Sequence, residues 1–185
     1  MRVLAACEFS GRVRDAFRGL GHEAFSCDLE PGEGTFTQYH IQGDVREYLQ
    51  GWDLIIGFPP CTYLSKIRNG RLEPNWVKDE RQLAFEFVLT LYSAPCERIA
   101  IENPVGRLST IWRKPDQIVH PFYFGDPFEK MTCLWLKGLP QLYIEEEFYH
   151  SGARAPWCYW TRDSRKRSIT FPGLASAMAR QWGSL

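Results

Sequence analysis

The segment from Asp53 to Cys61, with the sequence DLIIGFPPC, constrains the fold more than any other part of the chain. Its apolar, β-branched beginning predicts a strand that is buried on both faces, as in a parallel sheet. Pro59 and Pro60 end that strand, because proline cannot donate a hydrogen bond to a sheet, and they stiffen the turn. We therefore expect Cys61 on a rigid loop at the carboxyl end of a strand, where α/β sheets bind ligands, and interpret it as a nucleophile.

A second segment, Arg98 to Pro104 (RIAIENP), repeats this arrangement of a buried strand, a polar group and a proline. If the two strands are parallel, Cys61 and Glu102 lie at the same edge of the sheet. A thiol beside a carboxyl group suits addition to a pyrimidine ring: the thiolate adds to carbon 6 while the carboxyl group donates to nitrogen 3. Carbon 5 then becomes nucleophilic and can accept a methyl group from a sulfonium cofactor.

The beginning of the chain predicts a strand at residues 2–6, a helix at 11–18 and a second strand at 23–27. Ser10 is predicted to cap the helix, and Asp28 ends the second strand. A loop of small residues followed by an acid suits a nucleoside-bearing cofactor, whose ribose hydroxyls the acid would bind. A plain α/β turn explains this pattern equally well, because the loop holds one glycine.

The other patterns predict one α/β domain with a mostly parallel, seven-strand-type sheet. Residues 39–45 are predicted as a third strand or extended segment, and Lys78 to Ala94 as the longest helix, largely buried against the sheet. Segments Ile118 to Phe124 and Cys133 to Leu136 are predicted to form an antiparallel hairpin at one end of the sheet, because their connection is too short for a crossover helix. A length of 185 residues suits a single domain.

Two polar segments each have two interpretations. Thr62 to Asn75 follows Cys61, which favours a lid over that residue; the alternative is a solvated connection. Ser151 to Ser168 is locally basic and contains Trp157, Tyr159 and Trp160. This combination suits phosphate contact and base stacking. The alternative is a solvated loop whose aromatic side chains pack on the domain.

Composition and spacing argue against several classes of protein. The formal net charge is zero, so any site for a polyanion must be a local patch. No apolar run approaches the roughly 20 residues of a membrane helix, and no signal-peptide layout is present. The six cysteines form no Cys-x-x-Cys pair and share no ligand spacing with the four histidines, which argues against a metal site. Several cysteines lie inside apolar strand patterns, which argues against disulfides. We expect a cytoplasmic, reduced protein.

Several short motifs follow one another along nearly the whole chain. They are Phe9-Ser10-Gly11, Asp28, Gly43-Asp44-Val45, Pro60-Cys61, Glu102-Asn103, Phe124-Gly125-Asp126-Pro127 and the segment from Thr170 to Met178. In this order they resemble the motifs of the cytosine carbon-5 DNA methyltransferase family, in a short form similar to those of phages and prophages.

The resemblance implies a Rossmann-like fold that binds S-adenosylmethionine and methylates cytosine in DNA after the nucleotide leaves the stack. It implies Cys61 as the nucleophile and Glu102 as the proton-donating acid. The cofactor-binding residues that it implies are Phe9, Ser10, Gly11, Asp28, Leu29, Asp44 and Pro59. It also implies a cytoplasmic location in a bacterial host, with the protein encoded by a phage or prophage.

The chain departs from the family pattern in four places. Residues 12–14 are Arg-Val-Arg where the family has further glycines, and Leu29 stands where an aromatic residue often packs on adenine. In place of the motif Gln-x-Arg-x-Arg, Lys130 keeps one positive charge and Thr132 replaces the second arginine. We expect an arginine of the Arg162–Arg167 run, with Arg165 preferred, to take over the contact of that arginine with the cytosine ring. No target-recognition domain fits in the chain, which implies low or short sequence specificity or a specificity partner protein.

Two other functions remain open. The altered arginine motif favours a non-catalytic, methyltransferase-like module that binds DNA, although the presence of both Cys61 and Glu102 argues against it. The missing recognition domain favours a pyrimidine methyltransferase that acts on RNA or on nucleotides.

Overall fold

The computed structural model describes residues 1–65, 74–144, 155–156 and 163–185. The strands of its main sheet are β1 (Arg2–Ala6), β2 (Glu23–Asp28), β3 (His40–Gln42), β4 (Leu54–Gly57), β5 (Arg98–Pro104), β6 (Gln117–Val119) and β8 (Thr132–Lys137). A separate pair joins β7 (Phe128–Glu129) to β9 (Ala155–Pro156). The helices are α1 (Arg12–Gly19), α2 (Asn75–Tyr92), α3 (Leu108–Ile111), α4 (Ser164–Ser168) and α5 (Pro172–Trp182).

The main sheet has seven strands in the order β3-β2-β1-β4-β5-β8-β6. Strands β1 to β5 are parallel, whereas β8 runs antiparallel between β5 and β6. The predicted α/β class and mostly parallel sheet with an antiparallel pair at one end are confirmed. The predicted strand from Ile118 to Phe124 is too long, because it ends at Val119 and Pro121 begins a 3₁₀ helix.

Alternating side chains divide the core between the two faces of the sheet. On one face, Val3 and Ile56 pack with α1 and α5, whose Phe17 and Trp182 are fully buried. Leu4, Ile55 and Ile101 lie on the other face, with α2 and α3. Burial of each large apolar side chain stabilises the fold by roughly 1.5–3 kcal/mol. Within the described ranges, no helix combines the length and hydropathy that a membrane crossing requires.

Two helix predictions need correction. Ser10 is not the N-cap residue of α1, although its hydroxyl accepts a long hydrogen bond from the Arg12 amide at 3.4 Å. Gly11 takes the N-cap position with a φ of 73°, and the Glu8 carboxylate accepts a hydrogen bond from the Val13 amide. Helix α2 covers residues 75–92 rather than 78–94, and Leu83 is 60% exposed. It is therefore less buried than its composition predicts.

Candidate active site

The ends of the parallel strands bring the predicted thiol and carboxyl group to one edge of the sheet. Gly57 of β4 pairs with Ile101 of β5 and with Ala6 of β1, so these three strands approach the edge in register. Cys61 follows β4, and Glu102 lies one residue beyond Ile101. The pairing of β4 with β5 therefore places the two groups at neighbouring strand ends.

The Pro-Pro-Cys turn is held from two sides. The side-chain amide of Asn103 donates a hydrogen bond to the Pro59 carbonyl oxygen at 2.9 Å. The amides of Leu64 and Ser65 donate to the Cys61 carbonyl oxygen at 3.0 and 2.9 Å. Because Asn103 is buried, loss of its bond would carry the desolvation cost of unpaired polar groups. Pro59, predicted to bind the cofactor, is buried in this turn.

Glu102 is a largely buried carboxyl group close to a cation. Its side chain is 14% exposed, and the Nζ atom of Lys130 lies 4.0 Å from its Oε1 atom. Burial raises the pKa of Glu102, and the Lys130 charge lowers it to a smaller extent. Glu102 therefore keeps its proton to higher pH than an exposed glutamate and can donate a hydrogen bond to an acceptor such as a ring nitrogen.

Three thiols lie near this edge of the sheet, and their electrostatic surroundings differ. Burial raises the pKa of both Cys7 and Cys27, and the nearby Asp28 raises both further. Burial and Glu102 also raise the pKa of Cys61 overall, but here Lys130 and Arg167 offset part of that rise. Cations beside a thiol favour the reactive thiolate. Of the three, Cys61 therefore has the surroundings best suited to a nucleophile.

Arg167, at the end of α4, is the cation that the sequence did not single out. Its backbone carbonyl oxygen accepts a hydrogen bond from Nζ of Lys130 at 3.3 Å. Lys130 also lies 6.0 Å from the centre of the Phe171 ring. Lys130 thus lies close to Glu102 and bonds to the end of α4, and the charge of Arg167 also acts on Cys61. The basic run around Arg167 predicts a positively charged patch, but the sequence does not indicate which of its residues acts on the Cys61 thiol.

Arg165, expected to face the cytosine ring, instead contacts the loops that follow β1 and β2. Its guanidinium group donates hydrogen bonds to Glu30 and Glu33, both at 2.7 Å. The same group lies 4.0 Å from the centre of the Phe9 ring. Its described contacts therefore belong to the predicted cofactor side of the site rather than to Cys61.

The loop after β1 is built around a buried carboxyl group. Ser10 donates to Oε1 of Glu8 at 2.7 Å, and the Val13 amide donates to the same oxygen at 3.2 Å. Oε2 has no hydrogen-bond partner among the described residues. Burial raises the pKa of Glu8 from 4.5 to about 7. Gly11 admits no side chain, because a Cβ atom there would overlap Arg14 and the Glu33 carbonyl oxygen.

The free energy of unfolding of the wild-type protein is expected to fall as pH rises from about 4.5 to 7, and Glu8→Gln is expected to abolish this fall. Over this interval the carboxyl group of the unfolded chain ionises while that of the folded chain keeps its proton, so the free energy of unfolding falls. The shift corresponds to about 3 kcal/mol. Urea unfolding of both proteins at pH 5 and pH 7.5 measures it, and parallel pH profiles would contradict this role of Glu8.

Two acids lie at the carboxyl ends of β2 and β3. Oδ1 of Asp28 accepts a hydrogen bond from the Glu30 amide at 3.0 Å, and burial raises the pKa of Asp28. Beside it, the Leu29 side chain is 73% exposed. Asp44 accepts hydrogen bonds from the backbone and guanidinium group of Arg46, which lower the pKa of Asp44. Asp28 and Leu29 can meet a ligand directly, whereas Asp44 is paired with Arg46.

Two predicted segments fall largely outside the described residues. Of the proposed lid, Thr62 to Asn75, residues 66–73 are not described. Its beginning is anchored, because Ser65 forms a β-bridge with Gly106 and the Leu64 carbonyl oxygen accepts from the Arg107 amide at 2.6 Å. The aromatic residues of the basic segment also lie outside the described residues, and they are Trp157, Tyr159 and Trp160. Both interpretations stay predictions.

The described part of the chain contains no group of three or more His, Cys, Asp or Glu side chains that could hold a metal ion. Among the described cysteines, Cys7, Cys27, Cys61 and Cys96 carry free thiols. Comparison of the sequence with models of known protein families and with curated proteins finds no match. The functional argument therefore depends on the geometry and chemistry of the site itself.

Proposed function

We propose that this protein transfers a methyl group from S-adenosylmethionine to carbon 5 of cytosine in DNA, with Cys61 as the nucleophile. The observation that carries the proposal is the pairing of Cys61 with the buried carboxyl group of Glu102 at neighbouring strand ends, beside Lys130 and Arg167. The resemblance of the ordered motifs to the cytosine carbon-5 methyltransferases supports it.

The chemistry of the outer residues fits the cofactor. Asp28 offers a carboxylate to ribose hydroxyls, and the exposed Leu29 side chain beside it offers an apolar surface to adenine. Phe9 lies in the loop after β1 at the same edge, where its buried ring packs under Arg165. S-adenosylmethionine supplies an electrophilic methyl group when it is bound.

The side chains of the inner site account for activation of the ring. The Cys61 thiol gives its proton to solvent, with Lys130 and Arg167 favouring the thiolate against the opposing effects of burial and Glu102, and its Sγ atom bonds to carbon 6 of cytosine. The protonated Glu102 donates to nitrogen 3, so the electron pair of the carbon 5–carbon 6 double bond becomes available at carbon 5. After carbon 5 has taken the methyl group, its proton passes to water and nitrogen 3 returns its proton to Glu102. The electron pair left at carbon 5 restores the double bond to carbon 6, and the bond from carbon 6 to Sγ breaks, which regenerates the thiolate.

Purified protein incubated with tritiated S-adenosylmethionine tests the substrate class. The substrates are duplex DNA, single-stranded DNA, RNA and dCMP, and bisulfite sequencing maps the modified positions. The proposal predicts label at carbon 5 of cytosine in DNA. Label on RNA or dCMP alone would assign the other pyrimidine substrates, and cofactor binding without label on any substrate would favour a non-catalytic module.

A further inference from the structure

Helix α4 makes its charged contacts on the cofactor side of the site. Asp163 caps it by accepting a hydrogen bond from the Arg165 amide at 2.9 Å. Arg165 then reaches Glu30 and Glu33 with two separate nitrogens and covers the ring of Phe9. The helix is thereby attached to the loops after both β1 and β2.

The end of the same helix lies beside the reacting groups. The Arg167 carbonyl oxygen accepts a hydrogen bond from Lys130, whose Nζ atom is 4.0 Å from Glu102. The charge of Arg167 acts on Cys61. Arg165, which contacts the loops on the cofactor side, and Arg167, which contacts Lys130, are therefore separated only by Lys166.

The position of α4 depends on these contacts. It has five residues and no buried side chain, and helices this short are not stable alone in water. The acids that hold it are themselves anchored, because Arg14 donates to the Glu33 carbonyl oxygen at 2.6 Å and the Glu33 amide donates to the Phe9 carbonyl oxygen at 2.7 Å. Arg165 thus connects α4, which is too short to be stable alone, to loops that have anchors of their own.

We propose that Arg165 is a positioning residue that fixes α4 to the loops after β1 and β2. This attachment keeps Arg167 and Lys130 close to Cys61 and Glu102. This inference rests on the proposed function. It explains why Arg165 faces away from the pyrimidine side of the site although it belongs to the basic run. The planar fork of arginine suits two carboxylates at once, whereas lysine offers a single point of charge.

Amide hydrogen exchange tests the attachment of α4 by Arg165 without any assay of activity. Exchange is measured by mass spectrometry on peptides covering residues 163–171 in wild type, Arg165→Met and the control Arg180→Met. Arg180 is an exposed arginine that donates to Ser176 within its own helix. Arg165→Met is expected to speed exchange in α4 by about fivefold or more, because the local opening becomes easier. Equal exchange in all three proteins would overturn the inference.

A double-mutant cycle tests whether Arg165 acts through Arg167. The values of kcat and of KM for the cofactor are measured for Arg165→Met, Arg167→Met and the double variant. If Arg165 acts through Arg167, the double variant loses less kcat than the product of the two single losses, and Arg165→Lys restores part of the loss. Independent, multiplicative losses would overturn the inference. If wild type labels no substrate, the proposed function fails, and the exchange result alone decides whether Arg165 fixes α4.

Discussion

Replacement of Cys61 by serine is expected to lower kcat for methyl transfer by at least about 10⁴-fold. The serine hydroxyl has nearly the shape of the thiol but does not ionise in the field of Lys130 and Arg167, so no anion forms to attack carbon 6. Binding of S-adenosylmethionine should be unchanged, because the predicted cofactor residues Asp28 and Leu29 follow a different strand.

The measurement combines single-turnover kinetics with tritiated cofactor and calorimetry of cofactor binding. Cys96→Ala is the matched control, because Cys96 precedes β5 at the opposite edge of the sheet and its Sγ contacts the Arg98 carbonyl oxygen. The control should keep wild-type kcat. Full activity of Cys61→Ser would remove covalent attack from the mechanism.

Replacement of Glu102 by glutamine is expected to lower kcat by about 10²- to 10⁴-fold while the affinity for cofactor is kept. The amide can still donate a hydrogen bond, but it cannot transfer a proton to nitrogen 3. The pH dependence adds a second readout. Since burial raises the pKa of Glu102, wild-type activity should fall at high pH as this group loses its proton, and the variant should lack that fall.

Glu97→Gln is the control for this substitution, because Glu97 is exposed and lies just before the opposite end of β5. It should change neither kcat nor the pH profile. A parallel loss of cofactor affinity and kcat in Glu102→Gln would indicate a damaged fold rather than a lost proton donor. An unchanged kcat would exclude Glu102 from the reaction.

The sequence predicts the central part of the site because its signals are local. An apolar run that ends at Pro59 or Pro104 predicts where a buried strand stops, and parallel pairing then brings Cys61 and Glu102 together. The sequence also predicts the antiparallel pairing of β6 with β8, although the connection between them, residues 120–131, is longer than expected because β6 ends at Val119. These features need no knowledge of distant contacts.

Other parts of the site depend on long-range packing that local patterns do not encode. Ser10 has the side chain of a helix cap, yet Gly11 occupies the N-cap position of α1, and the buried Glu8 accepts the hydrogen bond of the Val13 amide. Arg165 and Arg167 are equally basic in sequence. Acids on a loop more than 130 residues away decide which of them faces the cofactor side.

The most direct test of the central claim is capture of the covalent bond between Cys61 and cytosine. Duplex DNA that contains 5-fluorocytosine is incubated with the protein and S-adenosylmethionine, and the denatured adduct is mapped by peptide mass spectrometry. Fluorine at carbon 5 cannot leave as a proton, so the account predicts a stable adduct at Cys61 that requires the cofactor and is absent in Cys61→Ser. A preparation that methylates DNA but yields no adduct would contradict attack by Cys61.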